Sequence, residues 1–197
     1  MAGGVDGSAG GVTLYRTIVA DPPWRYGTRT PTSTAKARRA AADAHYATMT
    51  VEDICAIQVP AADDAHLYLW ATNPLLREAF DVVAAWGFTY RTTLTWLKTG
   101  ALGMGFYFRG DTEHVLFATR GSSPIAAANR RRNWFHAQRT RHSVKPDAFY
   151  DLVEQVSPGP YLEIFARRAR FGWDYAGDGS LGTVEIPGLR NPGEAAA

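Results

Sequence analysis

A single cysteine, Cys55, in 197 residues leaves no partner for an internal disulfide and no ligands for a cysteine-cluster zinc site, and it fits a reducing compartment. The chain also lacks an apolar run near the eighteen or so residues of a membrane span, and its Gly-rich start (Gly3, Gly4, Gly7, Gly10, Gly11) has no signal-peptide hydrophobic stretch, so a cytoplasmic address is expected. A large excess of charge of one sign is missing too. Nineteen acids against twenty-one bases leave +2, so any basic surface must be local. What the chain does have is 46% hydrophobic residues, enough for one compact domain with a core and too short for two. Residues 1–12 read as a flexible N-terminus, 13–179 as the domain and 180–197 as a loosely attached tail.

Strand and helix patterns alternate along the domain. Leu14 to Ala20 is a run of β-formers that stops at Asp21-Pro22-Pro23-Trp24, and Arg25 to Ala44 reads as a long polar, locally basic loop. Thr50 and Asp53 open a short helix, His66 to Ala71 is a strand, and Asn73-Pro74 opens a helix with Leu75, Leu76, Ala79, Phe80 and Val83 on one face and Gly87 as its stop. Further strands are expected at Thr89–Leu97, His114–Thr119 and Tyr161–Ala166, with a helix from about Pro146 to Val156. From His114 to Pro146 there are seven bases and no acid, in a stretch read as irregular. The pattern implies an α/β sheet, largely parallel and covered on both faces.

Ligands of open α/β sheets gather at the carboxyl ends of strands, where Asp21-Pro22-Pro23-Trp24 falls. The prolines fix φ and restrict the residue before each, so the Asp21 and Pro22 carbonyls point in set directions. An aromatic amine fits such a site. Accepting both hydrogens of the adenine amine, through the Asp21 carboxylate and the Pro22 carbonyl, favours a pyramidal nitrogen and redirects its lone pair, while Trp24 stacks on the base.

These residues, with His45-Tyr46-Ala47-Thr48-Met49, Leu67-Tyr68-Leu69-Trp70-Ala71-Thr72, Thr95-Trp96-Leu97-Lys98-Thr99, Glu113-His114, His142-Ser143-Val144-Lys145-Pro146 and the segment Ser157 to Arg168, resemble the MT-A-type adenine methyltransferases. The resemblance implies a Rossmann-like methyltransferase fold with permuted motif order. It also implies transfer of a methyl group from S-adenosylmethionine to the six-amino group of adenine, most often in DNA or RNA. By that match Val19, Ala20, Asp21, Lys145, Glu163, Phe165, Arg167 and Asp178 belong to the cofactor side. Glu163 would take the ribose hydroxyls at a strand end, a device shared with dinucleotide folds, and Lys145 the methionine carboxylate, although it also reads as a surface cation at a helix start. Tyr46, Trp70, Trp96, Lys98 and Glu113 match the acceptor side, and for Trp70 and Trp96 core packing is an equal reading. Asp178 stands where relatives commonly carry Asn. The runs Arg29–Arg39 and Arg130-Arg131-Arg132 read either as nucleic-acid contacts or as solvated loops. The substrate expected is adenine in DNA. Alternatives are RNA, free adenine nucleotides, and an inactive nucleic-acid-binding partner subunit. No metal is expected, and a homodimer is left open.

Overall fold

The computed structural model describes residues 13–25, 48–100, 107–138, 144–177 and 182–189. Among them seven strands, β1 (Tyr15–Ala20), β2 (Ala61–Ala71), β3 (Thr89–Thr99), β4 (Thr112–Arg120), β5 (Trp134–Gln138), β6 (Tyr161–Ala166) and β7 (Trp173–Gly177), form one sheet ordered β5-β3-β4-β2-β1-β6-β7. The helices are α1 (Val51–Cys55), α2 (Leu76–Ala85) and α3 (Asp147–Val156). The sheet is largely parallel, as expected: β1/β2, β1/β6, β6/β7 and β3/β5 run parallel. β4 is antiparallel to both its neighbours. The cause is topological. The crossover through α2 leaves one strand's width between β2 and β3, and β4 fills it by running the other way. Among the described residues no helix is long and apolar enough to cross a membrane.

β1 sits near the middle of the sheet, and Ile18, Val19 and Ala20 are fully buried, which is why it reads as a continuous apolar run rather than an alternation. The pleat then sorts the core. Ile18, Ala20, Leu67, Leu69 and Leu116 face the layer of α1 and α2, while Val19, Tyr68, Trp70, Trp96 and Phe117 face an aromatic layer completed by Phe149 and Tyr150 of α3. Since Asp21 follows β1 directly, it emerges at the end of a fully anchored strand.

Local signals fare unevenly. Thr50 caps α1 as its spacing with Asp53 indicates, its hydroxyl accepting from the Asp53 N–H at 3.1 Å. Asn73 does not cap α2. It lies in a 3-10 turn, Asn73–Leu75, and its side-chain oxygen pairs with His114 Nε2 at 2.8 Å, tying the end of β2 to β4. Phe80 is exposed against Tyr90, and Val82 takes its expected place on the buried face. Strands β5 and β7 fall in segments without a strand signal. Part of the C-terminal tail is docked: Ile186 is buried among the α1/α2-side residues, and Gln58 N–H donates to the Pro187 carbonyl at 3.0 Å.

In the middle of β2, fully buried His66 links two segments beyond the strand. Its Nε2 lies 2.7 Å from the Ser123 carbonyl, which can only accept, so Nδ1 is the unprotonated nitrogen and accepts from Ser157 Oγ at 2.7 Å. Tyr68 Oη in turn lies 2.7 Å from Ser157 Oγ. Burial pushes this imidazole below its ordinary value. An unfolded chain therefore binds a proton that the folded one refuses, and this contribution to stability is complete above about pH 6.5 and lost as pH falls below it. A His66→Leu variant is expected to be less stable at neutral pH by about 1–3 kcal/mol, through its orphaned partners. Denaturant titration across pH should show the gap to wild type narrowing in mild acid; a constant gap would refute the neutral-imidazole assignment.

Candidate active site

The tetrapeptide after β1 is locked by its own backbone. Trp24 N–H donates to the Pro22 carbonyl at 2.8 Å, closing a three-residue turn around Pro23, whose ring-fixed φ suits it. Met49 N–H donates to the Pro23 carbonyl at 2.8 Å, and Arg25 N–H to the Met49 carbonyl at 3.0 Å. The Trp24 indole N–H reaches the Trp70 carbonyl at 3.1 Å, with the ring 6% exposed. This corrects the stacking role read from sequence. Trp24 is a buried anchor between the motif and the end of β2, its ring packed in the core and its indole N–H spent on the Trp70 carbonyl. The Pro22 carbonyl keeps a second lone pair, having spent one on Trp24.

Beside Asp21 the charges alternate. Lys145 Nζ lies 3.1 Å from Asp21 Oδ1 and 3.0 Å from Glu113 Oε2, and Lys98 Nζ lies 2.5 Å from Glu113 Oε1. All four side chains are mostly buried, between 11% and 20% exposed. Burial pushes the Lys145 ammonium down, but Asp21 and Glu113 together hold it above its ordinary value. Burial likewise raises the Glu113 carboxyl, and Lys145 and Lys98 outweigh it, so Glu113 stays ionised. The cations also rest on aromatic rings, Lys145 4.3 Å from the Trp70 centroid and Lys98 5.0 Å from that of Trp96. Trp70 and Trp96 are 1% and 3% exposed, so of their two readings core packing holds, with the rings doubling as a floor for the lysines.

On the other side of Asp21 a cleft is lined by Lys145, Tyr150, Glu163, Phe165, Arg167 and Arg168. Glu163, 4% exposed, accepts from Tyr150 Oη at 2.7 Å through Oε1, while its buried Oε2 has no hydrogen-bond partner. Burial pushes this carboxyl up to about 7; the Tyr150 hydrogen bond works against that, Asp21 adds to it, and Arg168 and Lys145 oppose it. Phe165 adopts a left-handed φ of 67°, where the β6/β7 register shifts, and Gly177 lies so close that a Cβ there would come within 2.9 Å of Phe165 Cα. The bulge turns Phe165 into the cleft. Val19 and Ala20 are not among the residues lining the cleft, and both side chains are fully buried.

The structure therefore gathers Asp21, Lys145, Glu163, Phe165 and Arg167 around one cleft, with Glu113 and Lys98 continuing from Lys145. Tyr46, Asp178 and the run Arg29–Arg39 lie outside the described residues. Arg130, Arg131 and Arg132 are exposed just before β5, four strands from β1, with Arg131 turned onto Gln155 Oε1 at 3.2 Å. Sequence reasoning missed Tyr150 and Arg168. Tyr150 follows Phe149 on the buried side of α3, where a hydroxyl among apolar neighbours signals a buried partner. Among the described residues no three His, Cys, Asp or Glu side chains converge as metal ligands.

Residues 15–179 match the model of the MT-A70 family, and the chain belongs to that family. It is similar to Type II methyltransferase M.MunI of Mycoplasma sp, at 32% identity over 189 residues that cover 88% of this chain and 78% of that protein. It is also similar to the probable N(6)-adenosine-methyltransferase MT-A70-like of Oryza sativa subsp. japonica, at 28% identity over 81% of this chain and 22% of the relative. The human N(6)-adenosine-methyltransferase catalytic subunit METTL3 is 25% identical over 78% of this chain and 26% of its own length. The chain thus spans most of the first relative and about a quarter of the other two.

Glu163 yields a test that needs no ligand. With a folded-state value near 7 against an ordinary 4.5, the folded protein holds a proton that the unfolded chain releases, so this group costs stability progressively as pH rises between those values. Glu163→Gln is expected to gain on wild type across that window and to keep a constant advantage above it. Denaturation midpoints measured from acid to mildly alkaline pH check this, and a pH-independent difference would remove the buried-carboxyl assignment.

Proposed function

We propose that this protein transfers a methyl group from S-adenosylmethionine to the N6 amine of adenine in nucleic acid, with DNA as the substrate. The observation that carries the reading is the Asp21 carboxylate, delivered by β1 to a cleft that also holds the buried, unpartnered Glu163 oxygen. The DNA reading leans on the similarity to a Type II methyltransferase covered over most of both chains, where the adenosine methyltransferases are covered for about a quarter of their length. A lone cysteine suits a cytoplasmic setting.

The cleft residues fit this cofactor. Glu163 Oε2, left without a partner inside the protein, is an acceptor for ribose hydroxyls, while Tyr150 fixes the other oxygen. Lys145 supplies a cation for the methionine carboxylate. The bound cofactor would supply an electrophilic methyl group on a sulfonium, whose carbon–sulfur bond would break to leave a neutral thioether. The protein's part is to hold the amine: the Asp21 carboxylate and the Pro22 carbonyl each accept one of its hydrogens, and Asp21 takes up the proton the nitrogen sheds as its bond to carbon forms. For that, Asp21 must exchange its pairing with Lys145 for the amine. Glu113, itself held by Lys98, keeps a counter-charge on Lys145 while this happens, so no bare ammonium is left in a nearly dry site.

Incubation with labelled S-adenosylmethionine and, separately, duplex DNA, single-stranded DNA, RNA and adenosine monophosphate tests the reading. Transfer to adenine N6 in DNA is expected; preference for the mononucleotide or RNA would move the substrate, and no transfer to any of them would overturn the activity. Asp21→Ala is expected to lose roughly 10²–10³-fold or more in kcat with its circular dichroism unchanged, the scale of one oriented transition-state partner. Glu163→Ala should instead weaken cofactor binding measured by calorimetry and leave the chemical step less affected. Unchanged affinity would take Glu163 out of the cofactor site.

A further inference from the structure

Of the six tryptophans, five are buried at 6% exposure or less: Trp24, Trp70, Trp86, Trp96 and Trp173. Trp134 is the exception, half-exposed on β5, the outer strand of the sheet. Along β5 the pleat sends Phe135 and Ala137 into the aromatic layer under α3, so Trp134 and His136 point to the other face together with their β3 partners Thr95 and Leu97. That face of β3 and β5 is itself only partly covered, as Thr95, Leu97 and Trp134 are half-buried and His136 is exposed. The aromatic pair is organised rather than loose: the rings meet edge to face at 4.9 Å, and the Arg132 guanidinium lies over the Trp134 ring at 5.1 Å. Arg130 and Arg131 are exposed beside it. No acid occurs between His114 and Pro146 to neutralise the row.

We propose that Arg132, Trp134 and His136 form a stacking platform for an unpaired nucleotide flanking the target adenine, with Arg130 and Arg132 holding its phosphates. The proposal rests on the nucleic-acid reading above and deepens it. An exposed aromatic face with guanidinium groups around it matches what single-stranded nucleic acid presents, a π-face on every base and a charge on every phosphate. A base on Trp134 takes the place that Arg132 now occupies and frees that guanidinium for a phosphate. β5 runs parallel to β3, with Gln138 beside Thr99, so the row leads toward the end of the sheet where Lys98 and the site lie. Four strand spacings separate β5 from β1, about 19 Å, which puts the platform under a nucleotide a few positions from the target rather than under the target itself.

All six tryptophans emit, but Trp134 alone is exposed for a base to stack on, so the difference between wild type and Trp134→Phe isolates its response. Titration of the full protein with a single-stranded deoxyoligonucleotide is expected to quench the emission, with less quenching by the same sequence as duplex, and Trp134→Phe should lose the quenching while keeping binding. Trp134→Ala with His136→Ala should raise Kd for the single strand roughly tenfold, as expected when about one base stack is removed. A variant replacing Arg130 and Arg132 with Gln should flatten the salt dependence of binding by about one to two in log–log slope, roughly one unit for each phosphate that is no longer neutralised. Affinity for S-adenosylmethionine, measured by calorimetry, should be unchanged in all of them. Unaltered fluorescence on saturating single strand, or wild-type Kd in the Trp134→Ala/His136→Ala protein, would overturn the platform. Equal effects on duplex and single strand would overturn the unpaired-nucleotide assignment. These binding measurements do not need methyl transfer, so they stand or fall separately from the activity.

Discussion

The Lys145 ammonium, held between Asp21 and Glu113 in a site with little water, is the constraint on which the rest of the molecule depends. A cation buried this deeply needs its counter-charges in place, and each carboxylate it pairs with needs it in return. The four groups reach the site from four places: Asp21 from the end of β1, Lys98 from β3, Glu113 from β4 and Lys145 from the approach to α3. The sheet order is therefore also a wiring order. The antiparallel β4 has a purpose here, since only a strand running against β2 and β3 starts, rather than finishes, at the carboxyl ends of its neighbours and so brings Glu113 to the same rim.

Around that core of charge the structure divides labour between rigidity and unmet demand. The tetrapeptide is fixed by backbone hydrogen bonds on both sides and by the Trp24 indole, which leaves the Asp21 carboxylate as its chemically available part. Glu163 carries the opposite character. One of its oxygens is satisfied by Tyr150 and the other by nothing, and its carboxyl is pushed up to about 7 for want of solvent or partner. A buried acceptor left bare at the head of a cleft is an energetic cost that a ligand donating hydrogen bonds removes. The left-handed Phe165 next to Gly177 is a second local cost at the same place.

Several readings from the chain alone survive because they depend on short-range physics. β1 and β6 follow from runs of β-formers closed by turn residues, α1 from the Thr50–Asp53 pair, and the position of Asp21 from its place at a strand end. Where the reading departs from the structure, a long-range partner made the decision. Asn73 had the chemistry of a cap, but His114 from β4 offered its side chain a closer use. β5 looked irregular because Arg, Asn and His crowd it; an edge strand needs only alternate residues to be apolar, and Phe135 and Ala137 suffice.

The sequence by itself determined the fold class and the family, because strand-forming runs, turn chemistry and the Asp21-Pro22-Pro23-Trp24 motif are local properties of the chain. Only the tertiary structure decided what the other site residues do. Trp24, Trp70 and Trp96 could each have faced a ligand, and burial assigned them to the core. Lys98 and Glu113 read as substrate contacts, and three-dimensional packing joined them to Lys145. Tyr150 had no motif, and became the partner of Glu163 when α3 was laid across β6. Side chains far apart in sequence acquire pKa values, partners and exposure only once the sheet brings them within a few ångströms, where Coulomb energy and desolvation grow large enough to choose among the roles the residue types allow.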